Sequence, residues 1–436
     1  MFGLPKFGDG IGLHRIERFL NAHRIDRAGL ARRSIAVTGT NGKGSTARFI
    51  TSAIEAAGMR VGCFTSPHLF DARERFTIGD QPIPAEAYDR HAQTVLAWNA
   101  TLQEGDRIGA FEFLFLLAIL WFNETKPDAI VWEAGIGGRY DPARCVRASV
   151  SVLTSIELEH TELLGATEEL IAYDKVDALA PGGCVVLAPS IPEPLAMRIA
   201  AYASLAGKAT LPALTGRRVA NVTNSHKGAR FSYGFLAAPP EADQTVRLKL
   251  AGQHQVDNAV SALRAAEVWL GLKPEENAER HFAMLAGLGR THWSGRLEKV
   301  ATTPDLWIDV GHTPRALEAV TRTFLEFIPR EKTLVVFGVS ASKEVAGIAN
   351  AVASSFDHFI LTRAHKSGAD VSLFEPIFRK HATDIVFAPD TETAAQFART
   401  RANIDGMTVL VLGGLFLAAE IQRAWQGGDP KDLDFF

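Results

Sequence analysis

A chain of 436 residues, 47% hydrophobic and 22% charged, is long enough for two hydrophobic cores and has the composition of an ordinary globular protein. Its formal net charge of -3 gives no electrostatic footprint for nucleic acid or for an anionic membrane surface. The cysteines, Cys63, Cys145 and Cys184, lack metal-ligand spacing and fit a reducing compartment, which sets aside disulfide scaffolds and thiolate-bound metals.

Met1 to Gly12 has Gly, Pro and Asp where a secretion leader needs an unbroken apolar run. The most apolar run, Phe111 to Phe122, contains Glu112 and is too short to cross a membrane, so a buried helix in a cytoplasmic protein is expected. Leu13 to Ala22 has helical spacing, with its Arg and His residues expected on a solvated face. The β-branched run Ile35 to Val37 then leads into Thr38-Gly39-Thr40-Asn41-Gly42-Lys43-Gly44-Ser45-Thr46, and helical spacing resumes over Ala47 to Ala57. Glycines at a strand-to-helix turn let the backbone approach a ligand closely, and unpaired N–H groups at a helix N-terminus face an anion. Thr40, Asn41, Gly42, Lys43, Gly44, Ser45 and Thr46 are therefore assigned to a triphosphate. Lys43 supplies a point charge, and Ser45 or Thr46 reaches a magnesium ion. An extra glycine follows the lysine, a departure from the usual G-x-x-x-x-G-K-S/T spacing; the plainer alternative is an ordinary Gly-rich turn.

Val61 to Phe64 is a short strand running into Thr65-Ser66-Pro67-His68-Leu69, where Pro67 keeps the chain extended. Open α/β sheets bind ligands at such strand ends, and His68 reads equally as a substrate contact or a plain loop histidine. Arg73, Glu74 and Arg75 follow, then a small hairpin over Thr77 to Ile83. A helix over Ala110 to Asn123 and a buried strand over Asp128 to Trp132 lead to Glu133-Ala134-Gly135-Ile136-Gly137-Gly138-Arg139. Glu133 is either a magnesium ligand at a strand end or a solvated glutamate in a Gly-rich turn. The strand Ser149 to Thr154 ends before Glu157, Glu159 and His160. Lys175 lies in a helical pattern over Thr167 to Leu179, and pattern alone puts it at the surface. Beyond a strand at Cys184 to Ala188, Leu211 to Leu250 reads as a β-rich antiparallel flap. The helix Val256 to Leu270 follows, with Asn258 in its first turn.

Gly287 to Gly295 breaks the pattern, so domains of residues 1–292 and 293–436 are expected. Strands at Leu306 to Val310, Leu334 to Phe337, His358 to Leu361, Ile385 to Ala388 and Thr408 to Leu412 alternate with helices. The fold class is thus α/β: an N-terminal P-loop three-layer α/β/α domain and a smaller, Rossmann-like open α/β domain. The latter has no G-x-G-x-x-G, but Asp309 and His312 lie just past its first expected strand.

Taken together and in order, Thr38 to Thr46, Thr65 to Leu69 with Glu74-Arg75, Phe111-Glu112-Phe113, Glu133 to Arg139, Thr154 to Gly165, Asp174-Lys175, Gly252 to Asn258, Gly295-Arg296-Leu297 and Asp309 to Pro314 resemble the folylpolyglutamate synthase / dihydrofolate synthase family, of the Mur ligase group of ATP-dependent amide ligases. The resemblance implies that ATP lies between the domains, that a carboxylate becomes an acyl phosphate, and that an amine, glutamate in the family, displaces phosphate. By family position, Ser45, Glu133 and His160 resemble magnesium ligands, and Lys175 matches a lysine carbamylated to carry a second magnesium. Asn258, Arg296 and Asp309 match residues that hold the nucleotide, and Lys43, Lys175 and His312 are the implied catalytic residues. Ser66, His68, Arg75 and Glu159 are assigned to substrate.

Departures from the family pattern fall at Tyr140, Pro142 to Arg144, Glu159, Asp174, Val176 to Ala178, Val310, Gly311 and Thr313, positions expected around the acid and the amine, and a further departure falls at Ala341 to Glu344. Two readings follow: a folate enzyme, or a relative joining another acid and amine in specialised metabolism. A third, of another class, is a P-loop phosphotransferase or non-ligating nucleotide-binding protein. The expected partners are a small-molecule carboxylate and an amino acid or amine, with no nucleic acid or membrane, and the protein is expected to be a monomer.

Overall fold

The computed structural model describes residues 4–5, 8–273 and 276–435; residues 1–3, 6 and 7 of the stretch weighed as a leader lie outside them. Strands β1 (Ser34–Thr38), β2 (Val61–Phe64), β3 (Phe76–Ile78), β4 (Gln81–Pro82), β5 (Ala129–Glu133), β6 (Val150–Leu153), β7 (Cys184–Leu187) and β8 (Ala209–Pro212) form one sheet in the order β4-β3-β2-β5-β1-β6-β7-β8. It is parallel except at the β2-β3-β4 edge. Side chains alternate between two cores, as a strand covered on both faces requires. Ile35 and Val37 pack with residues of the Lys43–Ala56 and Gln253–Leu270 helices, whereas Ala36 and Trp132 pack with the Ala110–Thr125 helix. These are the three layers.

The Ala110–Thr125 helix is buried around most of its circumference, which accounts for its apolar run. Glu112 closes its N-terminus by accepting from Gly109 N at 2.9 Å. A buried carboxylate needs a countercharge, and Arg15 supplies it from the Leu13–Ala22 helix at 3.1 Å. Arg15 is therefore 1% exposed and not on the solvated face expected for it.

A three-stranded antiparallel sheet, β9 (Arg217–Ser225), β10 (Gly228–Phe235) and β11 (Gln244–Arg247), is the expected flap. Its Phe231, Tyr233 and Val246 join the core that contains the Gln253–Leu270 helix. That helix begins earlier than expected, so Asn258 falls in its second turn.

The last sheet comprises β12 (Glu298–Thr302), β13 (Asp305–Ile308), β14 (Thr333–Phe337), β15 (His358–Leu361), β16 (Asp384–Phe387) and β17 (Thr408–Leu412), in the order β12-β13-β17-β14-β15-β16. β12, absent from the expected set, pairs antiparallel with β13 at the sheet edge. Its polar sequence, Glu-Lys-Val-Ala-Thr, suits a half-exposed edge and lacks the apolar run that marks the interior strands. Among the described residues no helix is long and apolar enough to cross a membrane.

Candidate active site

Loops after β1, β2, β5 and β6 of the first sheet face the loop after β13 of the last across a cleft of about 650 Å³. Gly42, at φ +82, is the N-cap of the Lys43–Ala56 helix, and a Cβ there would lie 2.5 Å from Asn258 Oδ1. Only glycine fits that backbone and that approach. Lys43 Nζ donates to the carbonyls of Gly39 (3.0 Å) and Thr40 (2.9 Å), and Lys175 Nζ donates to the same Gly39 carbonyl at 3.0 Å. Lys175 is 5% exposed, so the surface placement drawn from its helical pattern is wrong: the Glu168–Val176 helix packs against Gly138. Burial, helped by the Lys43 charge, pulls the Lys175 ammonium down to about 7.

Glu133 is the last residue of β5 and is buried, with Oε2 accepting from Ser66 N at 2.9 Å. It is thus not a solvated turn residue; burial pushes it up to about 6 against the pull of Lys43. The hydroxyls of Ser45 and Thr46 are buried at the helix start with no hydrogen-bond partner among the described residues. His160 also lines the cleft, and burial lowers its basicity. Among the described residues no three His, Cys, Asp or Glu gather as a metal cage. The available donor set is instead a hydroxyl, a carboxylate and an imidazole opening on the cleft, to which a hard cation could add phosphate oxygens.

From the other side, Asp309 is 3% exposed and accepts N–H groups from Leu297 (2.8 Å) and Gly311 (2.7 Å). Burial raises its carboxyl, and the neighbouring Arg296 charge opposes that. Asn258 donates to Gln255 Oε1 at 3.2 Å. The two sheets are also joined directly. Asn41 Nδ2 donates to Glu157 Oε1 at 2.7 Å and to Thr313 Oγ1 at 3.0 Å. Glu159 accepts from Lys343 Nζ at 2.6 Å, with His312 Nε2 at 3.7 Å and His160 Nε2 at 3.8 Å. Burial alone would raise the Glu159 carboxyl, but His312 and Lys343 outweigh it and hold it well below the usual carboxylate range. Sequence reasoning noted Ala341 to Glu344 as a departure from the family pattern but gave Lys343 no role in the site. The signal available was its place in the loop after β14, where an open sheet presents ligands.

Ser66 lines the main cleft, whereas His68 and Arg75 do not. They line an adjoining cavity of about 160 Å³, with Pro67, His312, Lys343 and Leu415 shared between the two. His68 is buried, accepts from Arg75 Nε at 2.8 Å and pairs through Nε2 with the Asp434 carbonyl at 3.0 Å. Burial and the Arg75 charge lower it to about 4, so it is neutral.

Fold and site together define a two-domain P-loop protein whose nucleotide-type loop is completed by a second α/β domain. The profile described as Mur ligase middle domain matches residues 37–266, and that described as Mur ligase, glutamate ligase domain, matches residues 295–415. The chain belongs to the folylpolyglutamate synthase / dihydrofolate synthase family of the Mur ligases. It is 31% identical to the dihydrofolate synthase/folylpolyglutamate synthase of Escherichia coli, over 77% of this chain and 74% of that one. It is also 31% identical to a probable bifunctional folylpolyglutamate synthase/dihydropteroate synthase of Halobacterium salinarum, over 90% of this chain but 47% of the relative. The chain thus spans about half the length of the haloarchaeal relatives it matches. Folylpolyglutamate synthase of Mycobacterium tuberculosis, solved with ADP and AMPPCP, superposes with a TM-score of 0.83 at 25% identity, covering 96% of each chain.

Proposed function

We propose that this chain is an ATP-dependent ligase that joins glutamate to a pteroate or folate carboxylate through an acyl phosphate. The observation that carries the reading is the convergence on one cleft of the phosphate loop, Glu133 and Lys175 from the first sheet with Arg296, Asp309 and His312 from the last. The alternatives of another acid and amine, or of phosphoryl transfer without ligation, have no observation in their favour.

The acid's carboxylate oxygen attacks the γ-phosphorus of ATP, ADP leaves, and an acyl phosphate forms. The amine nitrogen then attacks the acyl carbon, phosphate leaves, and the nitrogen gives up its proton. Bringing one anion against another needs neutralisation, and Lys43 at the helix N-terminus provides it. Arg296, Asp309 and Asn258 bind the nucleoside side, which aligns the γ-phosphate with the acid and excludes water between the sheets. Ser45, Glu133 and His160 would hold magnesium, which supplies charge neutralisation at the triphosphate; the unpartnered Ser45 hydroxyl and the buried Glu133 fit that role. Lys175 would carry the donor for a second magnesium as a carbamate: the ammonium gives up one proton, the neutral Nζ then forms an N–C bond to carbon dioxide and loses a second, and a cation is exchanged for an oxygen anion. Its burial beside Lys43 supports this, because only the neutral amine has the lone pair for that bond. The amine substrate occupies the smaller cavity, where Arg75 and a Lys343 released from Glu159 would face the carboxylates of an acidic amino acid, and reaches the acyl carbon past His312 on the shared wall. Domains of residues 1–292 and 293–436 would close on these substrates.

The test is product identification by mass spectrometry from ATP, magnesium, glutamate and either dihydropteroate or tetrahydrofolate. ADP, phosphate and a glutamyl amide are expected. ADP without amide would return the phosphotransferase reading, and turnover with other carboxylates alone would sink the folate one. Gly42→Ala is expected to raise the KM for ATP about tenfold or more, measured by steady-state kinetics, because the added methyl displaces Asn258 and strains the loop.

A further inference from the structure

The smaller cavity has a wall to which the ligase reading assigns no role. After the Leu415–Trp425 helix the chain turns through Pro430–Asp432 and runs back to the loop that follows β2. Arg75 donates to His68 Nδ1, so that nitrogen is the acceptor, the ring proton sits on Nε2, and Nε2–H is donated to the Asp434 carbonyl. Phe435 is 9% exposed and meets Phe416 edge to face, with ring centroids 4.8 Å apart. The cavity is lined mainly by apolar surface, to which Phe435, Phe416 and Leu415 contribute, and its basic groups are Arg75, His312 and Lys343, the last held by Glu159 at 2.6 Å. At about 160 Å³ it holds roughly five waters, the scale of one amino-acid side chain, so a displacement of one ring changes what it admits.

We propose that the Asp434–Phe435 segment is the specificity wall of the amine pocket. Phe435 sets the length of acidic amino acid accepted, and the Asp434 carbonyl holds His68 in the tautomer that receives Arg75. The inference rests on the ligase reading above, in which the amine occupies this cavity.

The test is isothermal titration calorimetry of the full chain with L-glutamate and with L-2-aminoadipate, one methylene longer, for the wild type, Phe435→Ala, Phe435→Leu and Phe435→Trp. Phe435→Ala is expected to shift the affinity ratio toward aminoadipate by about tenfold, the discrimination a pocket gains from one methylene. Phe435→Leu should fall between, and Phe435→Trp should shift the ratio the other way. An unchanged ratio across the four proteins overturns the proposal, as does binding of neither amino acid to any of them. If removal of the ring lowers the melting temperature, the Leu and Trp variants, which keep the contact with Phe416, decide the result. Amide formation by the wild type is followed separately. A shifted ratio without any amide leaves the wall standing and the ligase reading failed; amide formation with an unmoved ratio does the reverse.

Discussion

Replacing Lys43 with alanine is expected to abolish ATP turnover, lowering kcat/KM by about 1,000-fold, the scale of losing one preorganised electrostatic donor at a reacting centre. Among the described residues the ammonium donates only to the carbonyls of its own loop, Gly39 and Thr40, so its removal takes charge from the site without opening a core. The melting temperature should stay close to that of the wild type. A second effect reaches Lys175, whose ammonium is depressed partly by the Lys43 charge; without that charge Lys175 returns toward an ordinary lysine. Steady-state release of ADP and a thermal melt check both points. Turnover within tenfold of wild type would remove Lys43 from the phosphate site.

The other large effect is at Lys175. Lys175→Met is expected to lower amide formation by about 100-fold or more while making the metal-free and bicarbonate-free protein more stable at neutral pH. The sign follows from burial. The folded ammonium loses its proton near 7, far below an exposed lysine, so the unfolded chain binds more protons between those values. The wild type is therefore penalised most below about pH 7 and regains stability as pH rises toward the ordinary lysine range. Methionine removes that penalty. The stability gap between variant and wild type, read from urea melts across pH, should be widest in acid and close in alkali. A gap independent of pH would contradict the assignment of a charged, buried Lys175, and full retained ligation would contradict its carbamate.

Much of this was legible in the chain, for reasons that also explain the misses. Ile35 to Val37 and Asp128 to Trp132 announce themselves because strands covered on both faces must be apolar throughout. Gly39 to Thr46 is visible because backbone approach to an anion constrains residue type locally. Pattern alone misplaced Lys175, which only the resemblance brought to the site, because the Glu168–Val176 helix has little amphipathic contrast and periodicity could not say which side faces Gly39. The pairing of Arg15 with Glu112, and that of Glu159 with Lys343, join residues far apart in the chain, and no local pattern records a partner contributed by topology. His68 and Arg75 could be attached to a loop but not to the smaller cavity they line, because the segment that encloses them arrives from the other end of the chain.

Asn41 carries a further consequence. It lies inside the phosphate loop, yet its amide holds Thr313, the N-cap of the Pro314–Leu325 helix in the last α/β domain. If ATP binding engages Asn41, as the proposed ligase reading requires, the loop and the Thr313 joint are thermodynamically linked. A change at Thr313 that loosens the joint is then expected to alter ATP affinity at a loop it does not belong to, and ATP to alter the joint by the same free energy, which titration calorimetry of Thr313→Ala with ATP would read.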